Sequence, residues 1–278
     1  MIEYDFTGKT VVVTGGGRGI GKRIAQRFAA SGANVAVCRH SADGLEALER
    51  EIAHCSGDDQ TVVRSCDVAA HDGIAPKTPR PARVRAYAVD VASTAAVQSF
   101  FDAVVKDFGD IDVLVNNAGV YSKEPIADVT SDEWNRVMNT NVRGLFFACQ
   151  SFAKHHHNTG TPGVIVNISS VSAVSFLPDN LLYNVSKSAV VTITKTLARA
   201  LGPEGIRVNA VGPGSIPTDL NAELYKDKSK ERELCDKLPL RRRGTKDDVA
   251  NCVMFLASDE ADYVTGQVLF ADGGWTTL

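Results

Sequence analysis

The chain has 278 residues, of which 44% are hydrophobic and 23% are charged, and its formal net charge is −3. This length and composition fit one globular domain with a sizeable core. The near-neutral charge and the lack of a long basic block argue against nucleic acid or a membrane surface as a partner.

Neither a secretory signal nor a membrane span is visible in the sequence. The first residues lack a charged start followed by an apolar region, and no apolar run approaches the ~18 residues that a span needs. The six cysteines are scattered without a Cys-x-x-Cys pair, which is unlike a zinc site or a disulfide framework. We therefore expect a cytoplasmic protein without a metal site.

Short β-branched runs alternate with helical stretches along the chain. The predicted strands are residues 10–14, 34–38, 86–91, 111–115, 164–169, 207–211 and 268–270, and the predicted helices are residues 22–31, 43–54, 95–108, 132–155 and 183–201. This alternation indicates right-handed βαβ units and a parallel sheet that helices cover on both faces. We predict an α/β fold with a doubly wound parallel sheet (Rossmann), in a single domain spanning residues 1–278.

One stretch interrupts the alternation. Residues 65–85 are basic and contain Pro76, Pro79 and Pro81. Proline lacks an amide hydrogen and fixes its own backbone, so three prolines exclude a regular element there. The sequence therefore predicts an inserted surface loop at about residues 65–85.

A glycine-rich turn joins the first predicted strand to the first helix, and it reads TGGGRGIG from Thr14 to Gly21. Glycines allow the backbone to approach a pyrophosphate closely, and the N-terminus of the following helix supplies free N–H groups. The alternative is an ordinary turn between a strand and a helix, because a glycine cluster alone is a weak signal.

Three further motifs carry polar groups that suit acid/base chemistry or the binding of a cofactor. Tyr183 and Lys187 are four residues apart on a predicted helix and share a face, so the ammonium group is expected to lower the pKa of the phenol. Ser169 and Ser170 end a predicted strand, where a hydroxyl can polarise a carbonyl. The sequence NNAG at residues 116–119 follows another strand. Each motif taken alone also fits a surface pair, a strand cap or a simple turn.

Together and in this order, these motifs resemble those of the short-chain dehydrogenase/reductase family. The resemblance includes Pro213-Gly214 after the strand RVNAV and covers the chain apart from residues 65–85. It implies that Tyr183 is the general acid/base, that Lys187 binds the nicotinamide ribose and lowers the Tyr183 pKa, and that Ser170 polarises the substrate carbonyl.

The resemblance also implies an asparagine that holds a proton-relay water. Asn141 occupies that position, and Asn139 is a nearby alternative. The spacing to Gly144 favours Asn141. The predicted catalytic residues are therefore Asn141, Ser170, Tyr183 and Lys187.

The cofactor site that the resemblance implies extends over several loops. An aspartate beside the adenine follows the third strand, and we choose Asp90 because it leaves room for one helix and one strand before Asn116, whereas Asp67 lies too far away. The predicted cofactor-binding residues are Gly15, Gly17, Arg18, Gly19, Ile20, Gly21, Arg39, Asp90, Val91, Asn117, Ala118, Gly119, Tyr183, Lys187, Pro213, Gly214, Ile216 and Thr218.

The residue after the second strand points to the form of the cofactor. NAD-binding sites of this fold place an acidic residue there for the ribose 2′-hydroxyl, whereas NADP sites place a cation there for the 2′-phosphate. Arg39 stands at this position, and Arg18 could bind the same phosphate. We predict a preference for NADP(H) over NAD(H); the alternative is that Arg39 is a solvated surface residue.

The substrate is less well defined by the sequence. Residues 221–223 and 263–274 resemble sugar 1-dehydrogenases of the family, and 3-oxoacyl-carrier-protein reductases are also similar. Those reductases carry a basic residue where this chain has Glu204, although Arg241-Arg242-Arg243 could replace it. We predict a sugar, polyol or small ketone as the substrate. The alternatives are a 3-oxoacyl-thioester reductase and a catalytically inactive nucleotide-sensing protein.

Two expectations concern the surroundings of the site. The polar segment at residues 216–240, with Leu220, Leu224 and Leu234 as apolar anchors, is expected to form a mobile helical lid over the substrate. The family resemblance implies a homotetramer assembled through the long helices, including the helix that bears Tyr183.

Overall fold

The computed structural model describes residues 4–54, 83–176, 178–218 and 227–277. Within them, seven parallel strands form one sheet in the order β3-β2-β1-β4-β5-β6-β7. The strands are β1 (Thr10–Thr14), β2 (Asn34–Arg39), β3 (Val84–Ala88), β4 (Val113–Asn116), β5 (Gly163–Ile168), β6 (Ile206–Pro213) and β7 (Val268–Ala271). The predicted doubly wound α/β fold is confirmed.

Helices cover both faces of this sheet. They are α1 (Gly19–Ala30), α2 (Leu45–Ala53), α3 (Thr94–Phe108), α4 (Ser131–Met138), α5 (Leu145–Thr159), α6 (Leu181–Leu201), α7 (Lys228–Lys237) and α8 (Lys246–Ala257), and a π-helical turn, Asn139–Gly144, joins α4 to α5. Successive residues of a strand point to opposite faces, so Val11 and Val13 lie in one core while Val12 lies in the other. This explains why the central strands are continuous apolar runs.

The strand order determines where a ligand can bind. From β1 the chain builds outward through β2 and β3, returns to β4 beside β1, and then builds outward in the other direction. The loops after β1 and β4 therefore diverge and leave a crevice at the carboxyl ends of these strands. The glycine-rich turn follows β1 and the NNAG segment follows β4, so both motifs border this crevice.

Several predicted boundaries need correction. Val84 and Arg85 were assigned to the inserted loop, but they begin β3, where they pair with Val35 and Ala36. The nearby prolines obscured this strand start in the sequence. The rest of the predicted insertion, up to residue 82, lies outside the described residues. The first helix begins at Gly19 inside the glycine-rich turn, and the predicted helix 132–155 is interrupted by the π-helical turn.

The predicted lid is described only in part. Residues 219–226, which include Leu220 and Leu224, lie outside the described residues. Helix α7 occupies much of the remainder, and the Asp227 side chain caps it by accepting from the amides of Ser229 and Lys230 at 2.9 and 3.4 Å. The segment therefore contains a helix, and its role as a mobile lid stays a prediction.

Candidate active site

A cavity of about 680 Å³ lies at the carboxyl ends of the strands. Eighteen of the predicted site residues line it: Gly15, Gly17, Arg18, Gly19, Ile20, Arg39, Asp90, Val91, Asn117, Ala118, Gly119, Ser170, Tyr183, Lys187, Pro213, Gly214, Ile216 and Thr218. Gly21 and Asn141 do not line the cavity. The structure therefore brings together all but two of the residues that the motifs had suggested.

Eight lining residues were not predicted as site residues: Cys38, His40, Ser41, Val89, Val120, Thr140, Ile168 and Ser169. Most of them adjoin a predicted residue in the chain. Their positions at the ends of the strands could therefore have indicated them. Thr140 precedes the predicted Asn141 in the π-helical turn and reaches the cavity, whereas Asn141 does not.

The glycine-rich turn and the NNAG segment hold each other in place. The Asn117 amide donates to the carbonyl oxygens of Thr14 and Gly15 at 3.1 and 3.0 Å, and the Thr14 hydroxyl accepts from the amides of Asn117 and Ala118. A Cβ atom at Gly21 would collide with the Asn117 amide and the Gly15 carbonyl oxygen. Gly21 therefore serves this packing and does not face the cavity.

A substitution at Gly15 tests whether the close backbone packing of the glycine-rich turn is needed for dinucleotide binding. The φ of Gly15 is +65°, and a Cβ atom there would lie 2.8 Å from the Ala118 Cα atom. We expect Gly15→Ala to weaken dinucleotide binding by at least about tenfold and to lower the melting temperature, because strain and collision act together. Gly8→Ala is the matched control, since Gly8 shares a positive φ of +82° but has open space around it. Equal dinucleotide affinity in both variants would contradict the role of the close approach.

Tyr183 and Lys187 share one face of α6, as their spacing had predicted. The buried Lys187 ammonium donates to the Ile168 carbonyl oxygen at 2.8 Å and lies 5.5 Å from the centroid of the Tyr183 ring. Burial lowers the Lys187 pKa to about 8. The lysine is therefore anchored to the end of β5 and keeps its ammonium group beside the phenol.

The expected pKa of Tyr183 needs correction. Burial raises it to about 12, although the hydrogen bond with Ser170 lowers it, and nearby Tyr121 raises it further. The spacing of Tyr183 and Lys187 had predicted that the ammonium group would lower this pKa. Loss of solvent around the buried phenol is instead the largest influence on it, and the Lys187 ammonium donates to the Ile168 carbonyl oxygen.

The two serines after β5 have different partners. Ser170 is hydrogen-bonded to Tyr183, and its Oγ atom also accepts from the Ser172 amide at 3.1 Å. Ser169 instead donates to the Lys187 carbonyl oxygen at 3.0 Å and so holds α6 against the strand end. Ser170 is therefore the hydroxyl beside the phenol, and its role in polarising a substrate carbonyl stays a prediction.

Asn141 lies behind the cavity wall in the π-helical turn. The Oδ1 atom of its side chain accepts from the Val120 main-chain amide at 2.7 Å. The Nδ2 atom donates to the Val120 main-chain carbonyl oxygen at 2.8 Å and to the Ser186 hydroxyl at 3.0 Å. The side chain is thus used to fix the segment after NNAG. π-Helical turns are frequent at functional sites, and the role of Asn141 in holding a proton-relay water stays a prediction.

The other end of the cavity is cationic. Arg39 follows β2, and its side chain packs over Gly17, where a Cβ atom would lie 3.1 Å from the Arg39 Cβ atom. Arg18, His40 and Ser41 line the same part of the cavity. Of the two candidate aspartates, Asp90 lines the cavity, whereas Asp67 lies outside the described residues.

The segment after β6 closes the cavity. Ile216 is buried, and the Thr218 Cγ2 atom would lie 3.7 Å from a Cβ atom at Gly19. This segment therefore reaches across from β6 to the glycine-rich turn.

In the part of the chain that the structure describes, no group of three or more His, Cys, Asp and Glu side chains could hold a metal ion. The described helices include none that is long and apolar enough to cross a bilayer.

Comparisons with known proteins agree with this architecture. Residues 9–77 match the family model described as short chain dehydrogenase, and residues 74–276 match the one described as enoyl-(acyl carrier protein) reductase. The chain is 37% identical to 3beta-hydroxysteroid dehydrogenase 1 of Eggerthella lenta, over 98% of this chain and 95% of that protein. It is 35% identical to glucose 1-dehydrogenase 2 of Bacillus subtilis, over 98% and 96% of the two chains.

Solved structures show the same likeness. A gluconate 5-dehydrogenase from Burkholderia cenocepacia, solved in complex with NADP and tartrate, superimposes with a TM-score of 0.84 at 30% identity and covers 99% of this chain and 98% of its own. With the matched family models, the curated relatives and the arrangement of Ser170, Tyr183 and Lys187, these findings show that the chain is an oxidoreductase of the short-chain dehydrogenase/reductase family.

Proposed function

We propose that this enzyme uses NADP(H) to interconvert a carbonyl and a secondary alcohol, with Tyr183 as the general acid/base. The observation that carries the proposal is a single cavity bordered by Ser170, Tyr183 and Lys187 and also by Arg18 and Arg39. Ser170 follows β5 and Arg39 ends β2, and these strands are three positions apart in the sheet. The two groups are therefore separated by roughly 14 Å, which suits an extended dinucleotide.

The described residues fit this cofactor. Glycines at the start of α1 leave the backbone open to a pyrophosphate at the positive end of the helix. Arg39 and Arg18 supply guanidinium groups for a 2′-phosphate, and Lys187 supplies an ammonium for the ribose beside Tyr183. Bound NADP(H) would accept or supply the hydride. The solved relative with bound NADP supports the proposed preference.

The protonation state of Tyr183 at neutral pH is the one that carbonyl reduction requires. With a pKa of about 12, the phenol keeps its proton and can donate it to an oxygen that becomes an alkoxide. Ser170, which is hydrogen-bonded to Tyr183, can polarise the same oxygen. Alcohol oxidation needs the phenolate, so we expect oxidation to be favoured at alkaline pH.

A sugar, polyol or small ketone is the proposed substrate. Relatives named as glucose 1-dehydrogenase 2, L-rhamnose 1-dehydrogenase (NAD(P)(+)) and D-threitol dehydrogenase support this choice. The alternative, a 3-oxoacyl-thioester reductase, would need a basic surface for an acidic carrier. Arg242 pairs with Asp248 at 2.9 Å and Arg243 with Glu231 at 3.0 Å, so these two side chains already have carboxylate partners within the chain.

A catalytically inactive nucleotide sensor on the same fold is the alternative of another class. Such a protein would have little need for a complete set of acid/base groups. Ser170, Tyr183 and Lys187 line one cavity, and Asn141 is in place behind it. This arrangement supports an active enzyme.

An absorbance assay of the reduced nicotinamide tests the proposed function. NADPH and NADH would be supplied separately with ketones, ketoses and 3-oxoacyl thioesters, and glucose and polyols would be tested in the oxidative direction. We expect turnover with NADPH and a carbonyl from the ketone or ketose group. Turnover restricted to thioesters would favour the alternative substrate, and NADPH binding without any turnover would favour the sensor.

The proposed assembly is a homotetramer. Trp134 on α4, Phe146 on α5 and Val185 on α6 are exposed apolar side chains. Exposed apolar surface on a helix such as α6, which the family resemblance had indicated as part of the interface, is typical of subunit contacts. Light scattering at micromolar protein should give the mass of four chains, and a monomer would contradict the proposal.

A further inference from the structure

Tyr121 is a neighbour of Tyr183 that no motif had indicated. It lies two residues after Gly119, in the segment between β4 and α4. Its ring meets the Tyr183 ring edge-on, with centroids 4.9 Å apart and planes inclined at 66°. Aromatic pairs favour this tilted geometry. Tyr183 therefore contacts an aromatic ring that comes from a different part of the chain.

The hydroxyl of Tyr121 makes a second connection to the same helix. It donates to the Asn180 side-chain carbonyl oxygen. Asn180 is the N-cap residue of α6, yet its side chain accepts no hydrogen bond from the first turn of the helix. An N-cap asparagine usually accepts from an amide of that turn. Here the buried side chain is bonded to Tyr121 instead, three residues before Tyr183.

The main chain around Tyr121 is held on both sides. The Arg136 guanidinium donates to the Tyr121 carbonyl oxygen at 2.8 Å, and the same group forms two bonds with Glu133, at 2.7 and 2.8 Å. The preceding residue, Val120, has both its amide and its carbonyl bonded to Asn141. Tyr121 is therefore presented to Tyr183 from a fixed backbone.

We propose that Tyr121 is a positioning residue for catalysis, whose ring orients the Tyr183 phenol and whose hydroxyl fixes the start of α6 through Asn180. This inference rests on the proposed role of Tyr183. A general acid must keep a defined geometry relative to its substrate, and small displacements lower the rate strongly. The two contacts of Tyr121 constrain the phenol from outside its own helix.

Three variants separate the ring from the hydroxyl. In Tyr121→Phe, which keeps the ring, we expect kcat to fall by about threefold to tenfold because one hydrogen bond is lost. In Tyr121→Leu, which loses both contacts, we expect kcat to fall by about 10- to 100-fold. Asn180→Ala should match Tyr121→Phe, and the double variant of these two should lose no more than either alone. The dissociation constant for NADPH should stay within about twofold of wild type, since Tyr121 does not line the cofactor cavity.

The pH profile gives a readout that loss of stability alone would not change. Without the ring, water reaches Tyr183, and the alkaline limb of alcohol oxidation should move to lower pH in Tyr121→Leu. In Tyr121→Phe the limb should lie between those of Tyr121→Leu and wild type, because the ring still excludes water but no longer carries the second phenol, which raises the Tyr183 pKa. Tyr87→Phe is the matched control, because Tyr87 donates to Asp107 at 2.7 Å and meets Phe100 edge-on at 5.1 Å, away from the cavity. Its kcat and pH profile should stay those of wild type.

The possible outcomes distinguish this inference from the proposed function. If Tyr183→Phe is inactive while Tyr121→Phe and folded Tyr121→Leu keep the kcat and pH profile of wild type, the positioning role is wrong and the proposed function stands. If Tyr121→Leu does not fold, the kcat values of Tyr121→Phe, Asn180→Ala and their double variant test the positioning role. Additive losses of kcat in the double variant would then overturn the inference. If Tyr183→Phe remains active, the proposed function itself fails.

Discussion

Replacing Tyr183 with Phe should lower kcat by about 10²- to 10⁴-fold, the usual contribution of a positioned general acid. The ring and its contact with Tyr121 remain, and only the hydroxyl that is bonded to Ser170 is lost. The dissociation constant for NADPH should change little, because the anchoring of Lys187 to the Ile168 carbonyl does not depend on the phenol. Steady-state kinetics and a direct binding titration would measure the two quantities separately.

The pH dependence of alcohol oxidation gives a second test of the role of Tyr183. Oxidation of an alcohol requires the Tyr183 phenolate, and burial raises the pKa of this group. The rate of oxidation should therefore rise toward alkaline pH in the wild type, and this rise should be absent in Tyr183→Phe. Tyr263→Phe is a suitable control because the Tyr263 side chain is fully exposed. A Tyr183→Phe variant with more than about a tenth of the wild-type kcat would contradict the assignment.

Replacing Arg39 with Asp should reverse the cofactor preference. The guanidinium at the end of β2 is replaced by a carboxylate that repels the 2′-phosphate but can accept hydrogen bonds from the ribose 2′-hydroxyl. We expect kcat/KM for NADPH to fall by about 100-fold, the loss expected when one or two charge-assisted hydrogen bonds are removed. The value for NADH should stay the same or rise.

The control for this change is Arg50→Asp. Arg50 is an exposed residue of α2 that does not line the cavity, and its replacement alters the net charge of the chain by the same amount. Its kinetics with both cofactors should resemble those of wild type. If Arg39→Asp also keeps the wild-type ratio of kcat/KM for NADPH and NADH, Arg39 does not contact the phosphate and the proposed preference loses its structural basis.

The sequence predicted the parts of the site whose chemistry is contained in a short motif. Gly15 and its neighbours, the NNAG segment and the Tyr183–Lys187 pair act through spacing along one turn or one helix, and spacing can be read from the sequence. The fold class followed from the alternation of strands and helices. The start of β3 at Val84 was missed, because pairing with β2 decides it and the prolines nearby suggested a loop.

What the sequence did not provide depends on contacts between distant segments. Tyr121 meets Tyr183 across 62 positions of the chain, and no local pattern marks it. The direction of the Tyr183 pKa shift was also wrong, since it reflects how fully packing excludes water from the phenol. Both features arise from packing, which motif spacing does not specify.

We expect hydride to pass between NADP(H) and a carbonyl carbon in this cavity. The most direct measurement uses NADPH that carries deuterium at the transferred position, a carbonyl substrate from the panel, and mass spectrometry of the alcohol product. Wild type should place one deuterium on the carbinol carbon, and Tyr183→Phe should form almost no product. An alcohol without deuterium, or no consumption of NADPH with any carbonyl of the panel, would contradict this expectation.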